Sequence, residues 1–147
     1  MKKLFLLLLV AASFAAQAQT VTQKDLQGKW KLVTFINENG TVDIAKGTWK
    51  LNAGAEDAKD NAAELYEGII AQSKDAVLVI KGDTASQVVE GQEFETQYSL
   101  EDKNGKTYIT MDQGTTGAPQ VFIKDGQMHV LDENHELDME MIYSPVK

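Results

Sequence analysis

The chain has 147 residues, no cysteine and no arginine, and its 22 acidic residues outnumber its 14 lysines to give a net charge of −8. This length predicts one compact domain, and the lack of cysteine excludes disulfides, thiolate metal sites and cysteine nucleophiles. The acidic balance argues against a nucleic-acid partner, because phosphate binding depends on clustered lysine and arginine.

The first 18 residues have the layout of an export signal. Lys2 and Lys3 form a short positive region, residues 4–12 are almost entirely apolar, and Ala16 and Ala18 are the small residues that a signal peptidase requires. The apolar run is shorter than the roughly 20 residues of a spanning helix, which favours cleavage over a membrane anchor. Cleavage after position 18 removes two lysines and leaves 129 residues with a net charge of −10. We expect an exported protein, periplasmic or secreted, with no stable membrane insertion after cleavage.

Residues 19–24 predict a short polar lead, and residues 25–147 predict a single β-rich domain. Residues 28–36 are rich in aromatic and β-branched side chains and end at the turn-forming residues 37–40, which is typical of a strand. Residues 41–51 predict a second extended stretch.

One helix interrupts the strands at about residues 53–73, where apolar side chains recur at helical spacing. Asn52 is available as its N-cap. The predicted buried stripe consists of Ala58, Ala62, Leu65, Tyr66 and Ile69. The opposite face carries acids four residues apart, and their repulsion means that tertiary packing must hold the helix.

After residue 75 the sequence alternates between short strands and turns. The predicted strands are 76–81, 86–89, 93–100, 106–112, 120–124, 127–132 and 136–143, with a Gly-rich loop at 113–119. Asn104-Gly105 and Asp125-Gly126 favour tight hairpins. Because an open meander of this size would leave unpaired edges, closure is favoured. The prediction is an all-β, up-and-down antiparallel β-barrel of about eight strands with one helix inserted early.

Residues 26–33 open the first strand with Gly28-Lys29-Trp30 and resemble the Gly-x-Trp signature of the calycin superfamily, which includes lipocalins and fatty-acid-binding proteins. In that superfamily the tryptophan closes one end of the barrel. The last two strands are similar to the closing hairpin of those proteins, and the helix at 53–73 resembles the helical cap of fatty-acid-binding proteins. The overall resemblance, over residues 25–145, is to lipocalin-like domain proteins exported by bacteria.

A second Gly-x-Trp, ending at Trp49, directly precedes the helix and leaves open which tryptophan has the structural role. The resemblance also has a departure in the last strand. Fatty-acid binders of the superfamily hold the ligand carboxylate there with an Arg-x-Tyr pair, whereas this strand has Tyr143 and no arginine. A carboxylate ligand is therefore disfavoured.

Strand alternation points a set of apolar side chains toward the barrel interior. These candidate ligand contacts are Phe94, Tyr98, Leu100, Met139, Met141 and Tyr143. Methionine adapts to irregular shapes, and such a lining suits a neutral apolar ligand better than an anion. The alternative is that the same side chains are plain core, because small barrels are often filled by their own residues.

The sequence contains no recognisable catalytic motif. His129 and His135 are the only histidines, and no Gly-x-Ser-x-Gly elbow accompanies them. Residues 132–136 offer oxygen and nitrogen ligands but lack the spacing of zinc and calcium sites, so we expect a polar turn there. We expect no enzyme, no metal and no other cofactor.

Two functional classes remain. The first is a protein that binds or sequesters a small apolar ligand in the barrel, with the helix covering the mouth. The second is a non-enzymatic cell-envelope interaction module or inhibitor with a solid barrel, whose acidic surface meets a basic partner. The sequence identifies no protein partner. A cavity of several hundred cubic ångströms would favour the first class.

Overall fold

The computed structural model describes residues 20–111, 117–133 and 138–147. Several predicted features lie outside these ranges: the export signal at 1–18, residues 113–116 of the loop at 113–119, His135 with most of the expected polar turn at 132–136, and the first two residues of the last predicted strand at 136–143. In chain order the elements are α1 (Gln23–Leu26), β1 (Gly28–Asn37), β2 (Gly40–Asp43), β3 (Thr48–Leu51), a 3₁₀ turn (Glu56–Ala58), α2 (Lys59–Ser73), β4 (Leu78–Lys81), β5 (Thr84–Val89), β6 (Gln92–Lys103), β7 (Lys106–Met111), β8 (Gln120–Lys124), β9 (Gln127–Asp132) and β10 (Met139–Pro145).

Strand β1 and strands β4 to β10 form a closed, antiparallel eight-stranded barrel. The strands from β4 to β10 pair in chain order, and β1 closes the ring by pairing with β4 on one side and with β10 on the other. The β2–β3 hairpin and α2 are inserted between β1 and β4. The predicted all-β, up-and-down barrel with one early helix is confirmed.

One edge of strand β1 pairs with two different strands. Residues 28–30 pair with β4, and residues 34–37 pair with β2, with a register shift at Val33 against β10. A β-bulge bends its strand, which lets the second half of β1 carry the β2–β3 hairpin. The predicted single stretch at 41–51 is wrong: it is two strands, because residues 44–47 form a turn in which the Asp43 carboxylate accepts a hydrogen bond from the Lys46 amide at 3.0 Å.

Two of the predicted hairpin turns have the backbone that their sequences favour. Asn104-Gly105 joins β6 to β7 with φ values of 53° and 76°, and Asp125-Gly126 joins β8 to β9 with the same two values. Type I′ turns need positive φ at both central residues, and asparagine, aspartate and glycine adopt it most readily. These turns fix the register of both hairpins.

The core divides into two clusters. The base cluster consists of Val21, Leu26, Trp30, Ile80, Ala85, Tyr98, Ile109, Val121 and Met128. The helix cluster consists of Phe35, Val42, Ile44, Ala62 and Tyr66. One cluster therefore contains the N-terminal residues and the start of β1, and the other contains α2 and the end of β1.

Residues 20–24 of the predicted polar lead at 19–24 are described, and the last two of them begin α1, which lies beside the barrel. Val21 and Leu26 are buried in the base cluster. The side chain of Gln27 ties α1 to the β4–β5 turn, since its Nε2 donates to the Gly82 carbonyl at 3.0 Å and its Oε1 accepts from the Gly82 amide at 2.7 Å. The Asp25 carboxylate accepts hydrogen bonds from Thr22, which explains a helix turn at this point.

Trp30, not Trp49, closes the base of the barrel. The Trp30 ring is 6% exposed in the base cluster, and its Nε1 donates a 2.8 Å hydrogen bond to the Leu26 carbonyl. Trp49 lies on β3, half-buried, with its ring 5.6 Å from the ring of Tyr66. Of the two tryptophans, Trp30 therefore packs in the base cluster and Trp49 packs against Tyr66 of α2.

Helix α2 starts later than predicted and buries a narrower stripe. Asn52 is not its N-cap, because the Asn52 side chain donates to the Glu38 carbonyl and residues 52–55 form a turn. Ala62 and Tyr66 are buried, but Leu65 is 44% exposed, which corrects the predicted stripe. Successive residues of a helix differ by about 100° around its axis, so Leu65 lies well away from Tyr66.

Tyr66 docks α2 on the end of β1. Its hydroxyl donates a 2.6 Å hydrogen bond to Asn37 Oδ1, which also accepts from the amides of Asn39 and Gly40 at 3.1 Å. Gly40 leaves no space for a side chain, because a Cβ there would collide with the Lys50 carbonyl and lie 3.0 Å from the Tyr66 hydroxyl. The close approach of the helix to β2 therefore depends on glycine at this position.

Candidate functional site

The barrel contains a cavity of about 560 Å³ that is partly open to solvent. Ile80, Ala85, Ile109 and Met128 of the base cluster line it at one side. Met141, which packs against the helix cluster, lines it at another. The cavity thus lies between the two packed clusters, and its volume is that of a typical small-molecule site, roughly 300 to 1,000 Å³.

The lining is mostly apolar and is supplied by residues of β4 to β7, β9 and β10 together with Pro119. Its apolar members are Leu78, Ile80, Ala85, Phe94, Ile109, Met111, Pro119, Met128, Val130 and Met141. Three of these are methionines, whose unbranched side chains adapt to the shape of a bound molecule. Such a lining suits an apolar ligand, because its flexible side chains can adapt to the ligand's shape.

The polar lining residues are Ser86, Gln87, Glu95, Thr96 and Tyr143. Glu95 is the sole ionisable carboxylate among the described residues that line the cavity, and no lysine is among them. An anion inside the barrel would therefore meet no positive partner. Burying an unpaired charge is costly, so this interior disfavours anionic ligands.

Three of the six predicted ligand contacts come together at the cavity: Phe94, Met141 and Tyr143. Phe94 is 58% exposed, so its ring stands at the rim. Met141 and Tyr143 lie two residues apart on β10 and project to the same face, as alternation predicts.

The other three predicted contacts lie elsewhere. Tyr98 belongs to the base cluster, where its hydroxyl donates a 2.8 Å hydrogen bond to the Gly82 carbonyl. Tyr98 and Leu100 line a separate space of about 430 Å³ beside residues 21–23. Met139 packs against the helix cluster. Their places follow from strand length, because β6 and β10 run from the cavity into the packed ends of the barrel.

Tyr143 brings one hydroxyl group into this apolar interior. The hydroxyl lies 3.7 Å from the Met141 sulfur, a weak acceptor. Burial raises the pKa of the Tyr143 phenol, so the group is neutral at physiological pH. It can therefore donate a hydrogen bond to a bound molecule without introducing charge.

A second cavity of about 270 Å³ adjoins the first under the C-terminal turn of α2. Four residues line both spaces: Leu78, Gln87, Met141 and Tyr143. From α2 the second cavity receives Ile69, Gln72 and Ser73. No α2 residue is among the described residues that line the larger cavity, so the helix covers the smaller one.

Several lining residues were not singled out from the sequence. Met128 and Val130 pair with Tyr143 and Met141 across β9 and β10, so alternation along β9 would have placed them on the same face once that pairing was known. The connection between these strands, unlike the Asp125-Gly126 turn, does not determine a register. The unbroken apolar run at 76–80 likewise hides which residues of β4 face inward.

The His129 side chain lies on the outer face of the barrel, where it packs against neighbouring side chains. His129 lies between two cavity-lining residues of β9 and is 8% exposed. Its ring stacks on Phe122 with centroids 4.8 Å apart, and its Nδ1 lies 2.7 Å from Glu140 Oε1. This position, on the opposite face from the cavity, does not suit chemistry on a bound molecule.

Within the described ranges, no three metal-ligating side chains come together. No helix in the described part of the chain is both long and apolar enough to cross a membrane. A scan of the sequence against protein-family models found no match, and a search of curated proteins also found none.

Proposed function

We propose that this protein binds or sequesters a small apolar molecule inside its barrel. The observation that carries the proposal is the cavity of about 560 Å³ between two packed clusters. A solid barrel would support the alternative of an interaction module or inhibitor, and a void of this size argues against it. Dense packing is the norm for protein interiors, so an apolar cavity of this volume calls for an occupant.

We further propose that the protein is an exported, lipocalin-like member of the calycin superfamily that acts as a binder and not as an enzyme. The export signal at 1–18 and the Gly-x-Trp at Trp30 support the first part. The position of His129 on the outer face, away from the cavity, supports the second.

The experiment compares one substitution that fills the cavity with one on the opposite face of the same strand. Val130 lines the cavity, whereas Leu131 follows it on β9 and faces outward. Nile red, an uncharged dye that fluoresces in apolar surroundings, reports occupancy. We expect saturable binding by the native protein, a loss of at least tenfold in affinity in Val130→Phe, and little change in Leu131→Phe.

Urea titration shows whether both variants remain folded. Native mass spectrometry of protein purified from its own source then tests for a co-purifying small molecule. Absence of saturable dye binding in the native protein would overturn the proposal and favour the interaction module. Equal dye binding by the two variants would place the dye outside the barrel.

A further inference from the structure

The smaller cavity differs from the larger one in chemistry. Its lining includes four uncharged groups that can form hydrogen bonds, namely the side chains of Gln72, Ser73, Gln87 and Tyr143. The larger cavity also has five polar lining residues, but a smaller share of its surface is polar. Since four residues line both spaces, the two cavities adjoin across these side chains, and we call the smaller one, next to α2, the polar part of the site.

The hydrogen-bonding capacity of the polar part is largely unused by the protein. Within the described part of the protein, the side-chain amides of half-buried Gln87 and of solvent-exposed Gln72 have no hydrogen-bond partner, and the Tyr143 hydroxyl has only the Met141 sulfur at 3.7 Å. An amide offers two donors and an acceptor, and a phenol offers a donor. A ligand group placed here can therefore both donate and accept hydrogen bonds.

The electrostatics of this polar part oppose an anion. No lysine lines it among the described residues, and it lies against the C-terminal turn of α2, which ends at Ser73. The C-terminal end of a helix carries partial negative charge, because its last carbonyls have no partner within the helix. A carboxylate would meet this charge with no cation to balance it. No Asp or Glu is among the described residues that line this cavity either, so a cationic head would be buried without a carboxylate partner.

We propose that the ligand is an uncharged amphiphile, whose apolar chain occupies the larger cavity and whose neutral polar head, a hydroxyl, ester or amide, binds under the C-terminal turn of α2. This inference rests on the proposed function and adds the chemical class of the ligand to it. Gln87 lies at the junction of the two cavities and is the residue on which head-group selection depends.

Three probes with the same saturated chain test the head group: monolaurin, which is uncharged, laurate, which is anionic, and laurylamine, which is cationic. Displacement of Nile red at neutral pH, below the concentrations at which the probes form micelles, gives their relative affinities. We expect monolaurin to bind at least tenfold more tightly than laurate.

Two variants of Gln87 and one control sharpen the test. Gln87→Leu removes the amide and should reduce the preference for monolaurin to within a fewfold. Gln87→Lys adds a cation at the junction and should shift the preference toward laurate. Gln97 is exposed on β6 and lines neither cavity, so Gln97→Leu should retain the native preference.

The outcomes separate the inference from the function on which it rests. Preference for monolaurin that disappears in Gln87→Leu supports the inference. If laurate or laurylamine binds as tightly as monolaurin, the inference of an uncharged head group is wrong, but the proposed binding function still stands. If both Gln87 variants keep the native preference for monolaurin over laurate, the head group does not bind in the smaller cavity. If no probe displaces the dye and the dye itself does not bind, the proposed function fails together with the inference.

Discussion

At the scale of single residues, one large aromatic ring secures each end of the barrel, and its polar atom has a partner. Trp30 donates to the Leu26 carbonyl at the base, and Tyr66 donates to Asn37 under the helix. Buried tryptophan and tyrosine contribute large apolar areas but need a partner for the N–H or O–H group. The two acceptors lie at the ends of elements, because Leu26 is the last residue of α1 and Asn37 is the last residue of β1.

The substitution Trp30→Ala should lower the free energy of unfolding by about 3 to 5 kcal/mol, because it removes a buried ring and leaves a void beside Leu26. Trp30→Phe keeps most of the ring but loses the N–H donor, so it should cost less. Urea titration followed by far-ultraviolet circular dichroism measures both variants. A loss below about 1 kcal/mol in Trp30→Ala would contradict the role of Trp30 at the base.

At the scale of elements, α2 depends on its docking surface more than on its own sequence. Its N-terminus has no side-chain cap, and Asp60, Glu64 and Glu67 are exposed on one side. Acids four residues apart repel by a few tenths of a kcal/mol. The contacts of Tyr66 and Ile69 with the helix cluster therefore hold the helix in place.

Lysine at position 69 should release the C-terminal part of α2 while the barrel stays folded. Ile69 packs against the helix cluster and lines the smaller cavity, so a charge there opposes docking. Leu65→Lys is the matched control, because Leu65 is 44% exposed, and it should change stability by less than about 0.5 kcal/mol. Stopped-flow exchange of Nile red should be severalfold faster in Ile69→Lys than in Leu65→Lys.

Loss of the strand signal in Ile69→Lys would contradict this expectation and make α2 part of the main core. Equal dye exchange in the two lysine variants would show that the helix does not control access. Local opening without global unfolding is expected for an element that is inserted into the barrel and does not complete it.

The elements also show which features could be predicted from the sequence. Periodicity and turn chemistry predicted the helix, most strands and the hairpins at Asn104 and Asp125, because these depend on neighbouring residues. The break at residues 44–47 and the exposure of Leu65 depend on contacts between β1, β2 and α2. The packing of Val21 and Leu26 in the base cluster depends on contacts such as the hydrogen bond from Trp30 to the Leu26 carbonyl. The polar composition of the surrounding residues gives no sign of these contacts.

At the scale of the whole molecule, the barrel is packed at both ends and open between them. Alternation in the sequence could identify residues that face the barrel interior. It could not predict whether their side chains fill that interior or leave a cavity. That outcome depends on the barrel width set by eight strands and on the lengths of β6 and β10, which place Tyr98 and Met139 in the packed ends and Phe94 and Met141 at the cavity. Half of the predicted contact set therefore lies at the site.

Stability of the whole domain should decline in the alkaline range because Tyr66 and Tyr98 are buried in it and Tyr143 is partly buried. Burial raises the pKa of Tyr66, Tyr98 and Tyr143 above the usual value of about 10. The unfolded chain ionises these phenols near pH 10, whereas the folded chain keeps them protonated. Their contribution to stability is therefore complete below about pH 10 and is lost as the pH rises through the folded-state pKa values.

Urea midpoints measured between about pH 8 and pH 11 give the slope of stability against pH. Tyr143→Phe removes one buried phenol whose hydroxyl has only a weak sulfur partner, so this variant should fold and should show a shallower alkaline slope. Identical slopes for the two proteins would mean that the Tyr143 hydroxyl ionises as readily in the folded barrel as in the unfolded chain, and that water reaches the cavity at this point.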